Sequence, residues 1–353
     1  MSVDLSGIAA DMPVPDADVR QEALARWDTL AKPPGSLGRL EVLGAWLASV
    51  QGRCPTQPLT DVRVLVVAGD HGIAASGVSA YPAAVTASMV RTIAAGGAAV
   101  NVLARQVGAS VQVLDLGVDA DLSDLGPAVT EHKVRRGTAR IDVEDAMSVA
   151  EAEQAFTAGR AVADAAVDSG AQLLVVGDMG IANTTPAAVL TGLLTRSEVV
   201  DVVGRGTGID DAAWMRKAAA VRDAAHRGRP RMGDMLDLLA AVGGPDLAAM
   251  AGVFVQAATR RTPVVLDGVV SGAAALVAQR ISFKVPRWMQ AGHRSPEPAH
   301  SKALERLGLE PLVEAQMRLG EGTGALVAVP QLQAAAALLA EMALLSEVVP
   351  GES

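Results

Sequence analysis

One carboxylate stands among three glycines in Gly320-Glu321-Gly322-Thr323-Gly324, just ahead of a long apolar helical stretch. Nothing in helix packing asks for an acid there. A carboxylate pressed into apolar surroundings has a raised pKa and becomes a usable general base. Glu321 also fits a plainer reading, a negative charge placed favourably near a helix N-terminus, and the sequence leaves both open. A second feature is Gly177-Asp178-Met179-Gly180-Ile181-Ala182-Asn183-Thr184-Thr185-Pro186, which follows a β-branched run. Its glycines let backbone approach a ligand, Asn183 and Thr184 can cap a helix, and Pro186 suits a first helical turn. Such a helix start attracts phosphate, and Asp178 can hydrogen-bond a ribose hydroxyl. The alternative is a plain Thr-capped helix.

A third feature, Gly204-Arg205-Gly206-Thr207-Gly208-Ile209-Asp210-Asp211, looks superficially like a dinucleotide fingerprint but lacks its final spacing and falls late in the chain. As a phosphate loop it needs a cation. Lys217 lies in the helix expected to follow, where it either serves the loop or is an ordinary solvated lysine. Of the histidines His71, His132, His226, His293 and His300, three fall near candidate site loops, in Asp70-His71 and in the 293–300 segment. No H-x-x-x-H or C-x-x-C spacing is present, so no metal site is expected, and a structural or substrate-orienting role suits these histidines better. The nucleophile elbow and the P-loop are likewise missing from the sequence.

These loops need elements to hold them. Strand-like runs occur at 62–67, 110–114, 173–176, 199–203 and 263–266, with a weaker one over 285–289. They alternate with Ala-rich helical stretches, the pattern of right-handed βαβ units and a parallel sheet. Four runs end in Gly- and Asp-rich turns, Ala68-Gly69-Asp70-His71-Gly72, Gly177-Asp178-Met179-Gly180, Gly204 to Gly208, and Asp267-Gly268. Ordinary βα turns use the same residues, but ligands bind beyond the carboxyl ends of such strands, and four turns together point to one shared site. The first 55 residues read as helical: Leu37, Leu40, Leu43, Leu47 and Val50 share one face, and Ser36 is the expected N-cap. A final Ala/Leu helix is expected from Gln331 to Val349, packing on the N-terminal helices. The expected fold is thus a doubly wound, mostly parallel α/β domain over 56–330 and a small helical domain from 1–55 plus 331–353.

Composition narrows the function class. Of the 353 residues, 50% are apolar but only 2% aromatic, so the core must be packed from Ala, Val and Leu. The net charge of −9 argues against nucleic acid as a partner. Cys54 is the one cysteine, consistent with a reducing compartment. The start of the chain lacks the basic, then apolar pattern of a signal peptide, and apolar stretches are broken by charges, Gly or Pro. The expectation is a cytoplasmic protein with neither a membrane nor a nucleic-acid partner.

Taken in order, these segments resemble the nicotinate-nucleotide:dimethylbenzimidazole phosphoribosyltransferases of cobalamin lower-ligand assembly. The resemblance is carried by Lys32-Pro33-Pro34-Gly35-Ser36-Leu37-Gly38-Arg39-Leu40-Glu41, Gly69-Asp70-His71-Gly72-Ile73, Gly77-Val78-Ser79-Ala80-Tyr81-Pro82, the Asp178 to Thr185 loop, Val203 to Asp211, Leu266-Asp267-Gly268, and Arg318 to Gly324. It implies a large doubly wound domain with a small helical one, and a homodimer in which a neighbouring subunit helps complete each site. It implies Glu321 as catalytic base. Asp178, Gly180, Asn183, Thr184, Gly204, Gly206 and Lys217 would hold the ribose and phosphate of nicotinate mononucleotide. Ser79 and Tyr81 would line the pocket for 5,6-dimethylbenzimidazole, with Leu319 near it and Ser295 as a weaker member. The chain departs from the family pattern in the 178–185 loop, where Asp178 replaces Glu and Ala182 replaces Gly, and in the altered segment Asp267-Gly268-Val269-Val270-Ser271-Gly272.

The implied reaction needs neither a metal nor a cofactor. Nicotinate leaves as a neutral ring nitrogen, a benzimidazole nitrogen attacks the anomeric carbon from the opposite face, and a base takes the proton from the ring's other nitrogen. Three alternatives are set against it: a type I phosphoribosyltransferase, echoed faintly by 264–268; an NAD-dependent oxidoreductase, from the 204–208 turn; and a base- or nucleotide-binding protein without turnover.

Overall fold

Valine-rich runs suit a sheet covered on both faces, because branched side chains then pack on either side. The computed structural model describes residues 3–348 and holds one six-stranded, all-parallel sheet. Its strands are β1 (Val62–Gly69), β2 (Ala109–Gly117), β3 (Leu173–Met179), β4 (Val264–Leu266), β5 (Met289–His293) and β6 (Pro311–Val313), in the order β2-β1-β3-β4-β5-β6. Val64 lies beside Val111 and Val175, Val175 beside Val265, and Val265 beside Gln290. The chain steps outward from β1 to β2, then crosses back to β3 and winds the other way. The crevice at the ends of β1 and β3 is therefore the topological switch point.

The helices are α1 (Leu5–Asp11), α2 (Ala17–Thr29), α3 (Arg39–Gln51), α4 (Val85–Ala94), α5 (Ala99–Gln106), α6 (Pro127–Thr130), α7 (Val149–Asp168) and α8 (Thr184–Thr195), followed by α9 (Asp211–Gly228), α10 (Met235–Val242), α11 (Pro245–Thr259), α12 (Val269–Ile281), α13 (Pro298–Leu307), α14 (Thr323–Glu341) and α15 (Leu345–Val348). Val64 and Gly69 differ in strand parity and meet different helices. A Cβ on Gly322, at the start of α14, would lie 3.2 Å from Val64, whereas a Cβ on Gly69 would lie 3.3 Å from Asp246 in α11. The sheet is thus covered on both faces, as expected of a doubly wound fold. Trp27 and Leu30 at the end of α2, Ala45 and Ala48 of α3, and Leu339 of α14 form a satellite core. Trp27 Nε1 donates to Glu41 O at 2.9 Å, and Arg26 Nε donates to Leu339 O at 2.8 Å.

Four local expectations are corrected. Residues 199–203 are not a strand: Val199–Asp201 is a 3-10 turn, Val200 is 69% exposed, and β4 already occupies the place beside β3. Residues 285–288 are also a 3-10 turn, since Pro286 has no N–H to give a ladder, and β5 starts at Met289. Ser36 does not cap α3; Gly38 does, at φ 54°, while Glu41 accepts from Leu37 N at 3.1 Å and pairs with Lys32 at 2.8 Å. The final helix begins at Thr323, not Gln331, and runs through Pro330 to Glu341, with α15 after it; Val349 lies outside the described residues. Helix α14 is long and apolar enough to cross a membrane by length and composition, yet more than half of its apolar window is buried within the protein.

Candidate active site

A cavity of about 640 Å³ opens at the carboxyl ends of the strands. Its floor is acidic. Asp178 is the penultimate residue of β3 and Glu321 lies on the turn into α14, and both line the cavity. The turn can reach the sheet because two strand positions have no side chain. A Cβ on Gly177 would stand 2.1 Å from the Glu321 carbonyl carbon, and one on Gly292 would stand 2.5 Å from Ala325 Cα. Glu321 adopts φ 63°, a conformation that costs a non-glycine residue roughly 1–2 kcal/mol. Its N–H donates to Asp178 O at 3.0 Å.

The Glu321 side chain is 2% exposed. Burial pushes its carboxyl above the ordinary range; a hydrogen bond from Val100 N works against that shift, and the nearby Asp267 adds to it. The Val100 contact, at 3.4 Å to Oε2, places the carboxyl at the first turn of α5, where the helix dipole favours an anion. Glu321 is not the cap of its own helix. That role falls to Asp267 at the end of β4, which accepts from Gly322 N at 3.1 Å and Ala325 N at 3.0 Å. Asp178 is pushed up to about 7, chiefly by burial and by the charge of Asp267, while the Asn183 hydrogen bond opposes the shift. Behind it, His71 Nε2 pairs with Asp246 at 2.9 Å, both buried. Burial works to lower His71, but Asp246, Asp70 and Asp178 outweigh it and hold it high.

The opposite wall is built of amides and cations. Lys217 of α9 is 1% exposed, so it is no solvated lysine. Its Nζ donates to Thr184 Oγ1 at 2.8 Å. Burial lowers it to about 8, and the carboxylate of Glu297 pulls the other way. Glu297 Oε1 accepts from Gly206 N at 2.8 Å, and Arg318 Nη1 donates to Gly206 O at 2.6 Å. Ser79 Oγ lies 3.3 Å from Thr207 Oγ1, which also accepts from Ala80 N at 2.9 Å, so the Ser79-to-Tyr81 segment is tied to the glycine loop. Tyr81 and Leu319 stand at the mouth, 57% and 59% exposed. Apolar lining comes from Val85, Met89, Met179 and Val270.

A family model described as "Phosphoribosyltransferase" matches residues 12–349. The nicotinate-nucleotide–dimethylbenzimidazole phosphoribosyltransferase of Mycobacterium tuberculosis (strain ATCC 25618 / H37Rv) is 57% identical over 338 residues, covering 96% of this chain and 93% of that protein. The chain belongs to the nicotinate-nucleotide–dimethylbenzimidazole phosphoribosyltransferase family. Its relative from Mycobacterium marinum (strain ATCC BAA-535 / M) is 55% identical over 96% of this chain and 94% of that protein. Two crystal structures from Thermus thermophilus superpose with TM-scores of 0.89 and 0.90 at 43% and 44% identity, covering 96% and 95% of this chain and all of theirs.

Of the residues singled out for this phosphoribosyltransferase site, Glu321, Asp178, Gly180, Asn183, Thr184, Gly206, Ser79, Tyr81, Leu319 and Ser295 all line the cavity. Gly204 and Lys217 stand behind its wall. Some expected reasons change. Asn183 makes no side-chain cap for α8; its amide donates to Asp178 Oδ2 at 2.7 Å. A Cβ at Gly180 would meet the backbone Gly69 O at 2.2 Å, so close packing within the protein requires that glycine, while one at Gly204 would meet the movable Glu297 Oε2 at 2.0 Å. The 204–208 loop follows a 3-10 turn, not a strand. Sequence reasoning gave no role of their own to Asp267, Glu297 and Arg318. The first was visible as the acid ending a hydrophobic run, Glu297 as a carboxylate between Pro296 and Pro298, and Arg318 as a cation beside Leu319.

Proposed function

We propose that the chain transfers the 5-phosphoribosyl group of nicotinate mononucleotide to 5,6-dimethylbenzimidazole, giving α-ribazole 5′-phosphate and nicotinate with inversion at the anomeric carbon. The observation that carries this reading is a single cavity with a buried, proton-hungry Glu321 on one wall and the Thr184–Lys217–Gly206 cluster on the other. The nucleotide's phosphate lies toward the amide and cation wall, and its ribose toward Asp178 and Asn183. The flat base sits against Val85, Met89 and Met179, beneath Ser79, Tyr81 and Leu319.

In that pose one benzimidazole nitrogen forms the new bond to the anomeric carbon as the bond to nicotinate breaks. The bonding pair leaves with the pyridinium nitrogen, neutralising it. The proton on the acceptor's other nitrogen passes to Glu321. General base catalysis of this kind contributes roughly 10²–10⁴-fold, and holding the two reactants face to face supplies much of the rest. The exposed Tyr81 and Leu319 at the mouth support a homodimer in which a second copy closes the site. The single cysteine supports a cytoplasmic location, and the satellite core supports a small domain built from residues 1–55 and 331–353.

The test is to mix the purified protein with nicotinate mononucleotide and 5,6-dimethylbenzimidazole, without added metal, and resolve products by mass. Equal amounts of α-ribazole 5′-phosphate and nicotinate are expected. Folded protein that releases no nicotinate with this base or any of a panel of related bases overturns the assignment.

A further inference from the structure

Asp267 is 1% exposed and is held at the end of β4 by the sheet. Its two carboxylate oxygens accept from the N–H groups of Gly322 and Ala325, the residues that begin α14 directly after Glu321. His293, at the end of β5, closes the other side: its Nε2 is 3.7 Å from Asp267 Oδ1, and a Cβ on Gly324 would stand 2.1 Å from the ring. A carboxylate from a neighbouring strand, backed by a histidine, thus caps the helix that Glu321 leads into. The cap matters because Glu321 and Gly322 both hold left-handed backbone, at φ 63° and 89°, a pair that persists where the surroundings over-determine it.

We propose that Asp267 is a positioning residue for phosphoribosyl transfer, pinning the start of α14 so that the Glu321 carboxyl stays aimed at the acceptor's proton. This rests on the reading of Glu321 as the base. Asp267 after β4 and the amide end of α5 at Val100 act on Glu321, and Asp178 of β3 feels its charge, while His293 of β5 lines the same cavity against Asp267. Asp267 is the carboxylate whose charge raises Glu321. It therefore does two things for one side chain, fixing its place and strengthening its hold on a proton.

The test compares Asp267→Asn with the parent enzyme and with Glu321→Gln. The amide keeps the shape but loses the charge and turns one donor toward the N–H groups. A fall in kcat of roughly 10–100-fold is expected, the size of small misplacements, with KM for nicotinate mononucleotide within about threefold. The acid limb of the pH–kcat profile is expected to move to lower pH, because removing a negative charge makes Glu321 a weaker base. A purely structural role would not move that limb. Unchanged kcat with an unmoved limb overturns the proposal. High turnover in Glu321→Gln, by contrast, overturns the base assignment itself. If Asp267→Asn fails to fold, Asp267→Glu decides: charge retained but displaced predicts lower kcat with the limb in place, and full activity overturns the proposal.

Discussion

The two walls of the cavity solve opposite problems with the same device, burial. On the sheet side, burial raises Asp178 and Glu321, making carboxyls that hold protons more tightly than ordinary ones, Asp178 up to about pH 7. On the loop side, burial lowers Lys217 and makes a cation that can be lost near pH 8. Desolvation penalises whichever form is charged, so it strengthens bases on one wall and weakens a cation on the other. On the proposed function the acid wall moves the proton. The loop wall then holds the anion, and Glu297 beside Lys217 pulls the lysine's pKa back up against burial.

The sharpest break of this division is Glu321→Gln. It should lower kcat by roughly 10²–10⁴-fold, while the dissociation constant for 5,6-dimethylbenzimidazole, read by calorimetry, stays within a few-fold. Near-parental turnover would show that the acid wall does not move the proton.

Lys217→Met is the matching break on the other wall. Loss of a charge-assisted hydrogen bond costs about 1.5–3 kcal/mol, so KM for nicotinate mononucleotide should rise by roughly one to two orders of magnitude, with base affinity unchanged. Lys217, lowered to about 8, loses its proton as pH rises through that value. The expected kcat/KM for the nucleotide therefore falls on the alkaline side near pH 8. Lys217→Arg, which stays charged, should remove that limb even if it binds less well. A limb that persists in the arginine variant belongs to another group.

Both walls were partly legible in the sequence, for a physical reason. Strand ends were readable wherever a β-branched run stopped at glycine and an acid, as at Gly69-Asp70, Gly177-Asp178 and Asp267-Gly268. The failures came where tertiary context decided. Val199 to Val203 has strand composition, but the sheet has no place for it; Met289-Gln290-Ala291-Gly292-His293 lacks that composition, yet is a buried strand between β4 and β6. The final helix is expected only from Gln331, yet it starts at Thr323 and runs through the exposed Pro330, anchored by its contacts to the sheet. Most site residues named from motifs line one cavity. The link from Asp267 to Glu321 was not legible, because 54 positions separate them in sequence and only the sheet brings them together.

The raised Asp178 can be tested without substrate. Its folded value, about 7, lies above the ordinary 3.8. Between those pH values the folded protein keeps a proton that the unfolded chain has released, so stability from this site falls as pH rises toward 7 and returns as pH drops. Measured by urea unfolding as the difference from Asp178→Asn, the parent should gain on the order of 2 kcal/mol between about pH 7 and pH 5. A difference that does not vary with pH would place Asp178 among ordinary carboxylates and remove it from the proton-handling wall.

The smallest expected effect sharpens the boundary between the walls. Ala182 sits on the loop joining them, buried and lining the cavity, at φ 70°. The left-handed conformation costs an alanine roughly 1–2 kcal/mol, and glycine nothing. Against that, glycine gives the unfolded chain more freedom, worth about 0.4–1 kcal/mol. Ala182→Gly should therefore raise stability by between zero and about 1.6 kcal/mol, read as a small upward shift of the melting temperature. Ala182 lines the cavity proposed to hold both nucleotide and base. If its methyl crowds the ribose phosphate, the variant lowers KM for nicotinate mononucleotide alone. If it packs against the flat base, the variant loosens 5,6-dimethylbenzimidazole instead. A clear loss of stability would mean that the methyl's packing outweighs its backbone strain, and that this chain has adapted the loop to alanine.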